Sequence, residues 1–208
     1  ERQAEQARAY VKKFNAKNLI LVGHSWGALV AMSWAAKYPE EVKGVISIAG
    51  LNMPLSGVSK IANDTGLFNL AYELYFTNVA RKIDSGSIEK FAGHMFKPQN
   101  IPKAYLDYLG SDLSRRLSNI KANKNDLVVT SQALDKNFAG YNRMKMPVEI
   151  IHGAEDFLLP INSQAVALNE VIPNSRLHIL PTVGHMAHHF AFKEISDSIS
   201  YIRNFSLT

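Results

Sequence analysis

The stretch LVGHSWGALVAMSWAAKYPEE, residues 21–41, places one serine between two glycines where the sequence pattern changes abruptly. The run before it, residues 18–23, is short and continuously apolar, which is typical of a strand buried on both faces. The residues after it, 25–37, are small and apolar and stop before Pro39, which favours a helix. A strand that turns directly into a helix strains the turn residue, so Ser25 is predicted to project from the strand's carboxyl end.

Such a turn is crowded, and the small residues two positions either side, Gly23 and Gly27, are expected to relieve the crowding. The backbone N–H of Trp26 would then face the same space as Ser25 and could stabilise an oxyanion. Five residues of the form G-x-S-x-G also occur by chance, so the strand and helix around them carry much of the prediction.

Three further apolar runs alternate with helical patterns, which predicts an α/β fold with a mostly parallel sheet flanked by helices. The predicted strands after the first are 42–50, 146–153 and 175–181, and the predicted helices are 2–16, 25–37, 161–171 and 187–204.

Residues 51–145 interrupt this alternation and show no strand–helix–strand unit. The better helical candidates within them are 67–82, 102–121 and 126–137, and their aromatic residues fit the core of a separate helical unit. We therefore predict a core domain formed by residues 1–50 and 146–208, with 51–145 inserted as a helical cap or lid.

Composition limits the function classes. The chain has 208 residues, which is enough for a sizeable core. It contains no cysteine, which excludes disulfides and thiolate metal sites. No apolar run approaches the ~18–20 residues of a membrane helix. The net charge of +5 arises within residues 51–146, with 13 basic against 8 acidic residues. No basic stripe interleaves with aromatics, so nucleic acid is not predicted as a partner, while an anionic substrate or membrane surface stays open.

A nucleophilic serine requires a base and an acid that orients the base. Open α/β sheets place their sites at the carboxyl ends of the strands. Asp156 follows the third predicted strand, and His185 follows the fourth. The chain order is therefore Ser25, Asp156, His185.

These segments resemble the α/β-hydrolase superfamily, whose triad runs in this order. GHSWGA is similar to the nucleophile elbow, MPVEIIHGAEDFLLP to the segment that carries the acid, and LPTVGHMAHH to the histidine loop. The resemblance implies that Ser25 is the nucleophile, His185 the general base and then acid, and Asp156 its orienting partner. It also implies a helical cap at 51–145 and hydrolysis of an acyl substrate through an acyl-enzyme, with no metal or organic cofactor.

The resemblance leaves the substrate open. We expect an ester or related acyl compound with an apolar component. A proline-type peptidase or amidase, a C–C hydrolase, and a ligand-binding protein without turnover are the alternatives. Trp26 is expected to line the acyl pocket, and His24 is a second candidate substrate contact. The histidines His188 and His189 are expected to line the cleft or to begin the last helix rather than to bind a metal.

The family sheet has about eight strands, and the four predicted here match the last four. The loop that supplies the family's second oxyanion donor is not found in this sequence. We therefore expect a piece of a longer hydrolase, whose open sheet edge would pair with the missing N-terminal part or a partner chain. The sequence does not indicate a localisation.

Overall fold

A computed structural model describes residues 1–55, 85–108, 119, 122, 125–126 and 129–206. Its four described strands form one sheet in the order β1-β2-β3-β4, and every neighbouring pair is parallel. The strands are β1 Leu19–His24, β2 Val42–Ile48, β3 Val148–Gly153 and β4 Ser175–Leu180. Because the strands run in parallel, their carboxyl ends share one edge of the sheet. The predicted α/β fold with a parallel sheet is confirmed.

Helices cover the sheet on both sides. One apolar cluster packs α1 and α2 against the sheet, and a second packs the last helix against the opposite face. The described helices are α1 Arg2–Lys12, α2 Trp26–Lys37, α3 Ser85–Phe96, α4 Lys103–Tyr108, α5 Thr130–Tyr141, α6 Ala167–Val171 and α7 Phe192–Asn204. None of the helices within the described ranges is long and apolar enough to cross a bilayer.

The chain divides into two compact units, residues 1–53 with 134–208 and residues 54–133. The first contains the sheet. In the second, Phe96 at the end of α3 is buried and packs edge-on against Tyr105 of α4, with ring centroids 4.8 Å apart. Sequence reasoning did not predict α3, and the predicted helix 67–82 lies outside the described residues. The assignment of 51–145 as a cap stays a prediction.

The prediction that β1 is buried on both faces is wrong for the part of the chain that the structure describes. Val22 is 51% exposed, since β1 is the terminal strand of the described sheet and no described element covers this side chain. β2 fits the prediction, because all but one of its residues are buried. A continuous apolar run alone does not distinguish a central strand from an edge strand.

Two predicted helices are interrupted. The segment predicted as helix 161–171 begins with a π-helical turn, Asn162–Val166, and continues as α6. The segment predicted as helix 187–204 begins with a 3-10 turn, Ala187–His189, and α7 starts only at Phe192. Both breaks follow loops at the carboxyl end of the sheet, where side-chain and loop contacts compete with regular helix geometry.

A buried carboxylate joins β3, β4 and α7. Glu149 is completely buried and accepts two hydrogen bonds from the Arg176 guanidinium, at 2.8 and 2.7 Å. It also binds His178 Nε2 at 2.8 Å and accepts the Ser198 hydroxyl at 3.0 Å. Burial raises the pKa of Glu149, but these donors outweigh it, so the pKa lies below its usual value.

We expect Glu149→Gln to lower the free energy of unfolding at pH 7 by about 2 kcal/mol, because the amide loses the charge-assisted bonds. A carboxyl with a lowered pKa stabilises the fold above its unfolded pKa and loses that contribution as the pH falls through the folded pKa. The difference between variant and wild type should therefore shrink below about pH 4. Denaturant titrations of both proteins from pH 3 to pH 8 measure this difference in the free energy of unfolding. A constant difference across this range would contradict the assignment.

Candidate active site

Ser25 lies at the junction of β1 and α2 with φ = 52° and ψ = −118°. Positive φ is unfavourable for a residue with a side chain, and the neighbouring chain holds it there. The Ser25 amide donates to the Ile48 carbonyl at 2.9 Å, and the Ser25 carbonyl accepts the Leu51 amide at 3.3 Å. The end of β2 thus fixes the strained turn that the sequence predicts.

The two glycines beside Ser25 differ in what surrounds them. A Cβ on Gly23 would lie 2.3 Å from the Gly27 carbonyl oxygen and 2.6 Å from the Ala28 nitrogen, both backbone atoms. Gly27 is exposed, and a Cβ there would meet no described atom within 4 Å outside its own helix backbone. The expectation of crowding therefore holds for Gly23 and is wrong for Gly27 among the described residues.

Close contact between two loops brings the acid and the histidine together. Gly153, the last residue of β3, lies so near the loop after β4 that a Cβ would be 2.2 Å from the Val183 carbonyl oxygen. The Ala154 amide donates to Leu180 and the Glu155 amide to Val183. Both loops leave neighbouring parallel strands, so these bonds extend the sheet pairing up to Asp156.

His185 bridges the other two predicted site residues. Its Nδ1 lies 2.8 Å from Asp156 Oδ2, and its Nε2 lies 3.0 Å from Ser25 Oγ. Because an ionised carboxylate only accepts, the ring proton resides on Nδ1, and the Nε2 lone pair faces the serine hydroxyl. Both His185 and Asp156 are buried, and Ser25 is half-buried.

Asp156 receives several N–H groups. Its Oδ1 accepts the amides of Leu158 and Leu159 at 3.0 and 2.9 Å, while Oδ2 faces His185 and lies 3.3 Å from His152 Nε2. Burial raises the pKa of this carboxyl, but the donors outweigh burial and hold the pKa far below its usual value. Asp156 is therefore ionised throughout the neutral range.

Trp26 begins α2, and the first amides of a helix have no acceptor within the helix. Its N–H therefore lies beside Ser25 at the positive end of the helix dipole, where it could accept a developing negative charge. The half-buried indole donates through Nε1 to Gln3 Oε1 of α1 at 2.9 Å. The role of Trp26 as an oxyanion donor and as a wall of the acyl pocket stays a prediction.

His24 is directed at the histidine loop. Its Nε2 donates to the backbone carbonyl of His185 at 2.9 Å, and its ring centroid lies 4.0 Å from that of His188. Desolvation lowers the pKa of His24 to about 4 and that of His188 to about 3. Both rings are therefore neutral near pH 7. The role of His24 as a substrate contact stays a prediction.

His188 and His189 form the 3-10 turn that follows His185, and their rings are 4.2 Å apart. The Nδ1 atom of His188 is buried without a hydrogen-bond partner among the described residues. Within those residues, no group of three or more His, Cys, Asp or Glu side chains has an arrangement that would hold a metal ion.

The low pKa values of His24 and His188 predict that neither ring titrates above about pH 5. In the unfolded chain these histidines take up protons near their ordinary pKa of about 6.5, so between about pH 4 and 6.5 the unfolded chain holds more protons than the folded chain. The free energy of unfolding should therefore rise with pH across this window and fall as the solution is acidified. Imidazole C–H shifts measured by NMR test the prediction, and a midpoint near 6.5 for either ring would refute it.

Sequence reasoning did not connect His152 with Asp156. The His152 side chain is buried in β3 and donates to the Leu159 carbonyl at 2.8 Å. The available signal was the spacing of four residues between a strand-end histidine and Asp156. That spacing brings them together only because the chain turns back after Gly153.

With this geometry established, the chain can be placed among known proteins. The sequence model of the alpha/beta hydrolase fold family matches residues 1–192, so the chain belongs to this family. It is 22% identical to lipase 1 of Psychrobacter immobilis over 91% of this chain and 56% of the lipase. It is 25% identical to the cis-3-alkyl-4-alkyloxetan-2-one decarboxylase of Shewanella oneidensis, over 97% of this chain and 64% of the decarboxylase.

Among solved structures, the fold is similar to the 2-hydroxy-6-oxo-6-phenylhexa-2,4-dienoate hydrolase of Rhodococcus sp. strain RHA1. The TM-score is 0.71 at 16% identity, covering 97% of this chain and 69% of that chain. At this identity the likeness shows the fold alone. The chain spans less than two thirds of the length of the lipase and the decarboxylase, so the activity of the whole protein is a matter for proposal.

Proposed function

We propose that this protein is a serine hydrolase that cleaves an ester or related acyl substrate with an apolar component through an acyl-enzyme. The observation that supports this most directly is the pair of hydrogen bonds made by His185, to Ser25 at 3.0 Å and to Asp156 at 2.8 Å. Nucleophile, base and orienting acid in this order constitute the arrangement that activates a serine hydroxyl.

In the proposed reaction, His185 Nε2 removes the Ser25 proton as Oγ attacks the substrate carbonyl. Asp156 stabilises the imidazolium that forms and keeps it oriented. The Trp26 amide N–H, at the start of α2, has no acceptor within the helix and donates a hydrogen bond to the oxyanion. His185 then protonates the leaving group, and water hydrolyses the acyl-enzyme by the same steps. The half-buried indole of Trp26 supports an apolar acyl group.

The test is intact-mass spectrometry of the native, full-length protein before and after a fluorophosphonate probe, combined with hydrolysis of a simple aryl ester. We expect one adduct that maps to Ser25, together with turnover of the ester. Turnover of a peptide or of a C–C substrate in preference to esters would favour those alternatives on the same residues. A folded protein without an adduct would contradict the proposal and favour a ligand-binding protein.

A further inference from the structure

We propose that His152 is a positioning residue for Asp156, which holds this carboxylate in place and sets how strongly it acts on His185. The inference rests on the proposed hydrolase function and deepens it. His152 lies near the end of β3, is 1% exposed, and has its ring against the turn that carries Asp156. None of the described hydrogen bonds joins His152 to Ser25. His152 would therefore influence catalysis only through Asp156.

One N–H group of His152 serves two acceptors. Nε2 lies 2.8 Å from the Leu159 carbonyl oxygen and 3.3 Å from Asp156 Oδ2. Because a carbonyl oxygen can only accept, Nε2 must carry the ring hydrogen. The shorter contact holds the end of the 156–159 turn against β3. The longer contact places the positive end of the same N–H dipole beside the Asp156 carboxylate.

Asp156 Oδ2 is thus held between two imidazoles that come from different strands. His185 reaches it from the loop after β4 and His152 from β3, while Oδ1 takes the amides of Leu158 and Leu159. His24, at the end of β1, also interacts electrostatically with the Asp156 carboxylate. Glu155, which precedes Asp156 in the sequence, is exposed. Each N–H takes a share of the carboxylate's negative charge, so His152 moderates the attraction that remains for His185.

Removing the ring N–H should have two effects. In His152→Phe the turn loses its tie to β3, and kcat should fall about tenfold, a usual loss for an outer hydrogen-bond partner. The carboxylate also loses a donor and attracts the His185 imidazolium more strongly, so the acid limb of the kcat/KM profile should move up by about half a pH unit. A residue that only filled space would change the yield of folded protein and leave the acid limb in place.

The experiment measures aryl ester hydrolysis against pH in the full-length protein. The side-chain nitrogen of glutamine occupies the place of histidine Nε2, whereas the side-chain nitrogen of asparagine occupies the place of Nδ1. His152→Gln should therefore keep the wild-type kcat and acid limb, and His152→Asn should behave like His152→Phe. This polar pair serves even if the phenylalanine variant does not fold. His178→Phe is the matched control, since His178 lies in the adjacent strand and binds Glu149 instead.

Wild-type kcat and acid limb in His152→Phe and His152→Asn would overturn the proposal, as would loss of activity equal in the Gln and Asn variants. Failure of the hydrolase function is seen separately, because the wild type would then hydrolyse no aryl ester, or Ser25→Ala would retain the full wild-type turnover.

Discussion

Ser25→Ala should abolish ester turnover, lowering kcat by at least about a thousandfold, and should remove fluorophosphonate labelling. The hydroxyl is the only group that His185 Nε2 faces among the described hydrogen bonds, so its loss leaves the base without a nucleophile. Loss of a serine nucleophile removes nearly all of the chemical step while substrate binding continues. The kinetic parameters kcat and KM for an aryl ester, measured with the native full-length protein, test this prediction.

Ser163→Ala is the matched control, because Ser163 is exposed in the same compact unit and its hydroxyl donates only to a nearby backbone carbonyl. It should keep both turnover and labelling. His185→Ala should resemble Ser25→Ala, since an unactivated serine reacts slowly with the probe. Labelling that persists in Ser25→Ala would identify a different nucleophile and refute the proposed site.

The second large effect is expected at Gly23. Gly23→Ala introduces a methyl group 2.3 Å from the Gly27 carbonyl oxygen and 2.5 Å from its carbonyl carbon. Backbone atoms cannot turn aside as a flexible side chain can, so β1 and α2 must separate at the Ser25 turn. We expect the free energy of unfolding to fall by about 3 kcal/mol, at the upper end for overpacking, and probe reactivity at Ser25 to fall with it. Denaturant unfolding and the rate of fluorophosphonate labelling measure the two effects.

Gly27→Ala provides the comparison within the same motif. No described atom outside its own helix backbone would meet the new methyl group, and alanine favours a helix by about 1 kcal/mol over glycine. The variant should therefore be at least as stable as the wild type and keep its reactivity. A loss at Gly27 equal to that at Gly23 would show that chain outside the described residues packs against this turn.

Local patterns were sufficient for the part of the fold that holds the candidate site. A buried run followed by a small-residue helix predicted the turn at Ser25, because strand and helix periodicities are properties of adjacent residues. Parallel strands align their carboxyl ends, so Asp156 and His185 could be expected at the same edge as Ser25 before any distance was known. The approximate bounds of the four described strands followed from the same signals.

Contacts between distant segments could not be predicted in this way. The exposure of Val22 depends on which strands flank β1, and the different surroundings of Gly23 and Gly27 depend on how closely α2 returns along the strand. The indole of Trp26 donates a hydrogen bond to Gln3 of α1, although the rest of α1 and the whole of β1 separate the two residues in the sequence. Such pairings depend on packing geometry rather than on sequence spacing.

The sequence by itself determined the fold class and the three residues that could form a triad, because each follows from a local pattern and the alignment of parallel strands. Only the tertiary structure decided what surrounds them: the loop contact at Gly153, the bond from His24 to the His185 carbonyl, and the ring of His152 beside Asp156. Those contacts form where separate loops converge at the end of the sheet, and their distances are set by the packing of the whole unit.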